Sequence, residues 1–442
     1  MNPADQPTPN TENPSVHIQA VTAEQILDSR GFPTVEVGLT LDDGTTHAAS
    51  APAGASTGAF EAVELRDGGT AHSGRGVLHA VAGIIDEIQP ALIDQSWSSL
   101  SDVDHAMRAL DGTPNLARLG ANAVVAVSIA TARAFAAQSE QPLHRWIASL
   151  TGSAELMPVP HFNVLNGGAH ASNDLDFQEF MIAPVGASSE AEAVQTGAEI
   201  YHALAARIRA EYGTTGLGDE GGFAPALSNP EAALDLLMAA ITDAGYTPGL
   251  QDVAIAIDPA ANGFYDGAGQ YRLNGQTITR EQLATYYTTL LANYPLRSIE
   301  DGFAEDDHEG WKLLFTQAGD HTQLVGDDLF VTDAARITDG AIQGYANAAL
   351  IKPNQIGTVT DTLAAIAAAR QNRMAGMVSH RSGETGDTFI ADLVVGTGVG
   401  QIKSGAPARG ERVAKYNRLT HIEATTSGLA YGLGTDRQGK RS

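Results

Sequence analysis

Val253-Ala254-Ile255-Ala256-Ile257-Asp258-Pro259 is an unbroken apolar run that ends on an acid and a proline. A short run without alternation reads as a strand buried on both faces, and proline biases the residue before it to extended backbone. Toward the C-terminus the pattern recurs. Arg297-Ser298-Ile299 leads to Glu300, 322–325 to Asp327, 348–351 to Lys352 and Pro353, 376–378 to His380, and 400–402 to Lys403. The steps between these six residues are 42, 27, 25, 28 and 23 (the differences of their numbers), and a strand–helix unit of a (β/α)₈ barrel takes roughly 30 residues. Helical windows over 280–293, 358–370 and 387–395 fill the gaps, and the longest step holds a hairpin-like stretch at 265–271. Parallel strands of this kind bring their C-terminal ends to one mouth, where barrel active sites lie.

Upstream the pattern differs. Residues 16–21 and 34–41 alternate with period two, Asp42-Asp43-Gly44 is a turn, and 45–51 reads as the hairpin partner. Ala-rich helical periodicity follows over 74–148, with breaks expected at Gln89-Pro90, at 111–114 and at Gln141-Pro142. Strands then helices predict an α+β domain over 16–152 that caps a barrel domain over 153–442. Residues 1–15, with Pro3, Pro7, Pro9 and Pro14, read as a flexible tail and not as a signal peptide.

The 442 residues carry 26 Lys plus Arg against 52 Asp plus Glu, a net charge of −26. Such a surface repels nucleic-acid backbones and anionic lipid, so neither is an expected partner. There is no cysteine, which excludes disulfides, zinc ribbons, iron–sulfur clusters and thiol catalysis. The most apolar window, 123–132, is too short to span a bilayer and reads as a buried helix. The expected setting is the cytoplasm.

Asp258, Glu300 and Asp327 at neighbouring strand ends would repel one another unless a divalent cation held them, and an all-oxygen set suits Mg²⁺. Any one of these acids alone is more often a solvated loop residue; three in register with two lysines and a histidine point to a site. Ser379-His380-Arg381-Ser382-Gly383-Glu384-Thr385 places a guanidinium and hydroxyls together, which suits phosphate, although a structural ion pair explains that piece equally well. Gly218-Asp219-Glu220-Gly221-Gly222 aims an acid between glycines, and the glycine-bracketed loops at 54–58 and 166–170 carry Ser56 and His170. Each of these loops, taken singly, is compatible with an ordinary turn or linker. Loops of this kind over a barrel mouth can close and expel water.

These motifs are recognisable. Asp28-Ser29-Arg30-Gly31, 61–68, Gln178-Glu179-Phe180-Met181, 218–222, Ser298-Ile299-Glu300-Asp301, Asp327-Asp328-Leu329, Lys352 with Asn354-Gln355-Ile356-Gly357, and 379–385 together make the chain resemble the enolase family, the phosphopyruvate hydratases, from about Val16 to Ala424. The resemblance implies an α/β fold with a modified barrel whose second strand is antiparallel, and a homodimer. It implies reversible dehydration of 2-phosphoglycerate, a phosphorylated hydroxy acid, to phosphoenolpyruvate in glycolysis and gluconeogenesis, with two Mg²⁺ per site. Carried over residue by residue, Asp258, Glu300 and Asp327 would hold one Mg²⁺ and Ser56 would help hold the second. Lys352 would be the base at C2 and Glu220 the acid at the C3 hydroxyl, with Glu179, His170 and His380 on the leaving-group side. Arg381 and Ser382 would bind phosphate and Lys403 the carboxylate. Two nearby Mg²⁺ ions and a second lysine are expected to lower the Lys352 pKa, so that it acts as a neutral base.

The chain departs from the family pattern at Phe32, usually Asn; at Ala53, usually Ser; at Gly386, usually Glu; and at His421, often an Arg that pairs across the dimer with the acid at Glu36. Two other readings stay open: a relative with a different acid substrate or a binding role, and a Schiff-base aldolase using Lys352 or Lys403, which leaves the three acids unexplained.

Overall fold

The computed structural model describes residues 15–55, 58–213 and 216–434. The proposed tail falls almost wholly outside that range. The N-terminal half begins with β1 (Val16–Leu27), β2 (Pro33–Leu41) and β3 (Thr46–Ser50), an antiparallel set joined through the Gly44 turn. The helical part then runs through α1 (Leu78–Gly83), a π-helical turn at Ile84–Ile88 and α2 (Gln89–Leu92). Gln89-Pro90 therefore does not break the helix. Pro90 falls at the first positions of α2, where a missing N–H costs least, and the wider π turn precedes it. The chain leaves the helix only at the extended Ile93. β4 (Ser96–Trp97) completes the sheet, followed by α3 (Leu100–Asp111), α4 (Ala121–Gln138) and α5 (Leu143–Thr151), so the other two expected breaks stand. α4 is buried along nearly its whole length between β2 and β3 on one side and barrel helices on the other, as an apolar helix without a polar face must be.

After the short β5 (Leu156–Met157) comes the barrel. Its strands are β6 (Val159–Asn166), β7 (Glu179–Pro184) and β8 (Val253–Asp258), with α6 (Glu190–Tyr212) and α7 (Pro230–Asp243) between the last two. A three-stranded satellite sheet follows, β9 (Tyr265–Gly267), β10 (Gln270–Leu273) and β11 (Gln276–Thr279), which fills the long interval before α8 (Arg280–Asn293). The chain continues through β12 (Leu296–Glu300), α9 (His308–Ala318), β13 (Gln323–Gly326), α10 (Ala334–Gln343), β14 (Ala348–Ile351), α11 (Pro353–Ile356) and α12 (Val359–Gln371). It ends with β15 (Ala375–Ser379), α13 (Phe389–Thr397), β16 (Gln401–Lys403), α14 (Gly410–Thr425) and β17 (Ala430–Tyr431), which pairs with β5.

The eight barrel strands close in the order β12-β13-β14-β15-β16-β6-β7-β8. All neighbours are parallel except β7, which runs against both β6 and β8. That reversal puts the first residue of β7, Glu179, opposite the last residue of β8, Asp258. A one-residue slip would turn both away from the mouth. At the opposite end of the barrel a register irregularity in β12 lies at Arg297, whose guanidinium meets His161 Nε2 at 2.7 Å and Gln401 Oε1 at 2.9 Å. Among the described residues no helix is long and apolar enough to cross a membrane.

The two halves meet through polar contacts as well. Asp104 on α3 is buried, and its Oδ2 accepts from Thr360 N at 3.0 Å and Thr360 Oγ1 at 2.6 Å, while Oδ1 has no partner. Burial raises its pKa to about 6. A carboxyl raised on folding stabilises the fold when protonated, and that contribution is lost as pH rises from about 4 through 6. Asp104→Asn is therefore expected to gain roughly 1–3 kcal/mol at pH 7.5, the gain shrinking toward pH 4, in urea unfolding measured across that range.

Candidate active site

The six strand-end residues named from the intervals converge. Asp258 and Glu300 close β8 and β12, Lys403 closes β16, and Asp327, Lys352 and His380 follow β13, β14 and β15 directly. All six are buried. Lys403 Nζ donates to Glu300 Oε1 at 2.7 Å, Glu179 Oε2 at 3.1 Å and Asp258 Oδ2 at 3.4 Å. Lys352 Nζ donates to Asp327 Oδ2, and Gln355 Nε2 donates to Asp327 Oδ1 at 2.8 Å. Asp301 accepts from the backbone N–H of Asp327 and of Asp328, both at 2.9 Å, and so fixes the turn that aims Asp327. The turns after three strands carry left-handed non-glycine residues, Ala260, Asp301, Val331 and Thr332, with φ of 50°, 41°, 43° and 58°. Such conformations cost about 1–3 kcal/mol each and collect at functional sites.

The three expected metal ligands thus share a rim, but their oxygens gather around ammonium groups. The tight sets of donor atoms are His170 with Glu179 and Glu220, and Asp301 with Asp327 and Asp328, each within 4.8 Å. Glu300 Oε2 is buried and has no partner. An orphaned carboxylate oxygen in an all-oxygen cluster fits a hard divalent cation.

On the other side of the mouth, Glu220 Oε2 accepts from Asn163 Nδ2 at 2.9 Å and lies 3.1 Å from His380 Nε2. His170, on a 3₁₀ turn at Gly168–His170, has its Nδ1 3.8 Å from Glu179 Oε1 and 3.7 Å from Glu220 Oε1, and its Nε2 3.2 Å from Ser382 Oγ. Arg381 pairs with Glu61 and with Asn354 Oδ1, the last at 3.0 Å. Ser56 lies outside the described residues.

Burial and the Glu220 charge push Glu179 well above the usual carboxyl range. Glu220 is itself buried but faces His380 and His170 and is held well below that range. The two carboxyls thus sit in opposite surroundings, Glu179 beside another acid and Glu220 beside two histidines; the acid role of Glu220 stays what the resemblance implies. Burial lowers His380 to about 4. Around Lys352 burial disfavours the charge, but the Asp327 carboxylate outweighs burial and raises the pKa. The lowering expected from the sequence belongs to a lysine with Mg²⁺ ions beside it.

Sequence reasoning missed several supports. Arg412 is fully buried and donates to the carbonyls of Arg381 at 2.6 Å, Ser382 at 2.5 Å and Asp219 at 3.2 Å, and its NH1 lies 2.6 Å from His380 Nδ1. It ties the 379–385 loop to the 218–222 loop. The helical spacing of Arg412, Lys415, Tyr416, Leu419 and Ile422, all buried on α14, is the signal that would have shown it. Glu61, Asp301 and Gln355 stand within motifs that carry the resemblance but were given no role there, and Asn163 carried no signal.

None of the four departures falls on a charged group of the mouth. Phe32 lies under Arg75, 4.1 Å from the ring centre. Ala53 acts through its backbone, in a reciprocal pair with Gly383 at 2.8 and 2.9 Å. A Cβ at Gly386 would meet no atom within 4 Å. His421 is exposed on α14.

Arg412→Met leaves several buried carbonyls without donors, and at about 1–3 kcal/mol each the variant is expected to lose at least about 3 kcal/mol in urea unfolding. Residues 18–147 match the enolase N-terminal domain model, and residues 154–439 match the enolase C-terminal TIM barrel domain model. With both models matched in order and the mouth built as described, the chain belongs to the enolase family.

Proposed function

We propose that the protein is a Mg²⁺-dependent phosphopyruvate hydratase, interconverting 2-phosphoglycerate and phosphoenolpyruvate in the glycolytic and gluconeogenic direction. The observation that carries this reading is the face-to-face arrangement of two buried lysines and a glutamate–histidine cluster across one acid-lined mouth. One side can take a proton from carbon while the other gives one to oxygen.

Asp258, Glu300 and Asp327 would hold one Mg²⁺ and Ser56 would help hold another. When bound, the ions supply the positive charge that a carboxylate needs when its neighbouring carbon loses a proton. The protein's own residues do the rest. Lys403 pairs with the substrate carboxylate. Arg381 and Ser382 orient the phosphate. Lys352, whose Nζ lies beside Asp327, would accept the C2 proton as a free amine. Glu220 and Glu179, within reach of His170, share the proton that leaves with the C3 hydroxyl. The burial of the whole set excludes bulk water and strengthens each of these interactions.

Purified protein with Mg²⁺ is expected to convert 2-phosphoglycerate to an ultraviolet-absorbing enol ester, and a chelator to stop it. Lys352→Ala should lower kcat by about 10²–10⁴-fold, the usual worth of a positioned base. Absence of turnover with Mg²⁺ present would overturn the reading.

We also propose a cytoplasmic homodimer. Glu36 is half-buried beside Ser50, whose Oγ donates to it at 2.9 Å, and His421 of a second copy is the partner proposed for it. His421→Ala is expected to weaken dimer affinity in sedimentation, and equal affinity would remove His421 from the contact.

A further inference from the structure

The guanidinium proposed to take phosphate already has an anion on it. Arg381 NH1 donates to Glu61 Oε2 at 2.9 Å and NH2 donates to Glu61 Oε1 at 3.2 Å, a two-pronged pair. The side chains are 3% and 7% exposed, so water does little to screen the contact. Glu61 comes from the N-terminal half, 320 residues away in sequence.

The same carboxylate reaches the rest of the mouth. Its Oε1 also accepts from Gly58 N at 3.1 Å and from Gln355 Nε2 at 3.2 Å. That amide group donates to Asp327 as well, and Gln355 Oε1 accepts from Thr332 Oγ1 at 2.7 Å. The Lys352 N–H donates to Thr332 Oγ1 at 2.9 Å. One glutamate therefore touches the phosphate arm directly and, through one amide, the acid that pairs with Lys352.

We propose that Glu61 is a positioning residue that makes anion binding at Arg381 conditional on a divalent cation. This deepens the hydratase reading and rests on it. Arg381 is charge-compensated by Glu61, so a phosphate arriving there faces the Glu61 carboxylate at close range, with Asp327 and Glu64 as the further acids acting on the same guanidinium. A divalent cation held at Asp327 would offset part of that opposing charge. Phosphate then shares Arg381 with Glu61 at lower cost. The arrangement disfavours free anions at Arg381 while leaving the arm pre-aimed.

Inorganic phosphate is the probe, with binding to the full chain followed by calorimetry after chelation and again with Mg²⁺. Without cation, Glu61→Gln is expected to bind phosphate on the order of tenfold tighter than wild type, the effect of one nearby buried charge. Glu61→Asp, which keeps the charge, is expected to bind as weakly as wild type, and adding Arg381→Met to Glu61→Gln to abolish the gain. A merely structural Glu61 predicts the opposite sign, because a disordered arm binds phosphate less well. Equal or weaker binding by Glu61→Gln, or tighter binding by Glu61→Asp, overturns the proposal. Failure of the hydratase reading shows separately, as wild-type protein that does not turn over 2-phosphoglycerate while Glu61→Gln still gains cation-free phosphate affinity.

Discussion

The Lys403 ammonium, held by Glu300, Glu179 and Asp258, is the contact around which the mouth is arranged. Taking charges out of water is expensive, and a buried ion pair repays it only with close geometry on all sides. Here the geometry is supplied by four strands, β16, β7, β8 and β12, so the pair cannot form unless the barrel is closed in the correct register. Burial disfavours the Lys403 charge, and the carboxyls that face it outweigh burial and raise its pKa well above the ordinary value. The remaining groups of the mouth take their protonation from the same competition between burial and neighbours.

That competition explains what sequence could and could not show. The six strand-end residues were legible because a barrel repeats, and repetition survives as intervals in the chain. The prolines after Asp258 and Lys352 marked strand termini for a local reason. The reversal of β7 was not legible from periodicity, since a buried strand reads alike in either direction; it came only from resemblance. The pairing of Lys352 with Asp327 was not legible either, because it joins the ends of two different strands. Glu61, though inside a quoted motif, and Arg412, though on the buried face of α14, were given no role for a third reason. Their importance lies in contacts to segments far away in sequence, and a lone acid or arginine carries no mark of its distant partner.

The helical half shows the same limit. Gln89-Pro90 has the composition of a break, yet the chain accommodates it by widening one turn and starting a new helix on the proline. Local propensity named the place of the irregularity correctly and its form wrongly, because packing of Ile84, Ile88 and Leu92 into the core keeps the segment helical on both sides.

α4 has no face for solvent. It packs on β2 and β3 and also on α11 and α12, so the N-terminal half and the barrel share one apolar interior rather than touching across a wet seam. Neither half is then a self-contained module: a polypeptide cut near Gly152 would bare that helix on one fragment and its socket on the other. Such a scaffold has to be inherited with its two halves together.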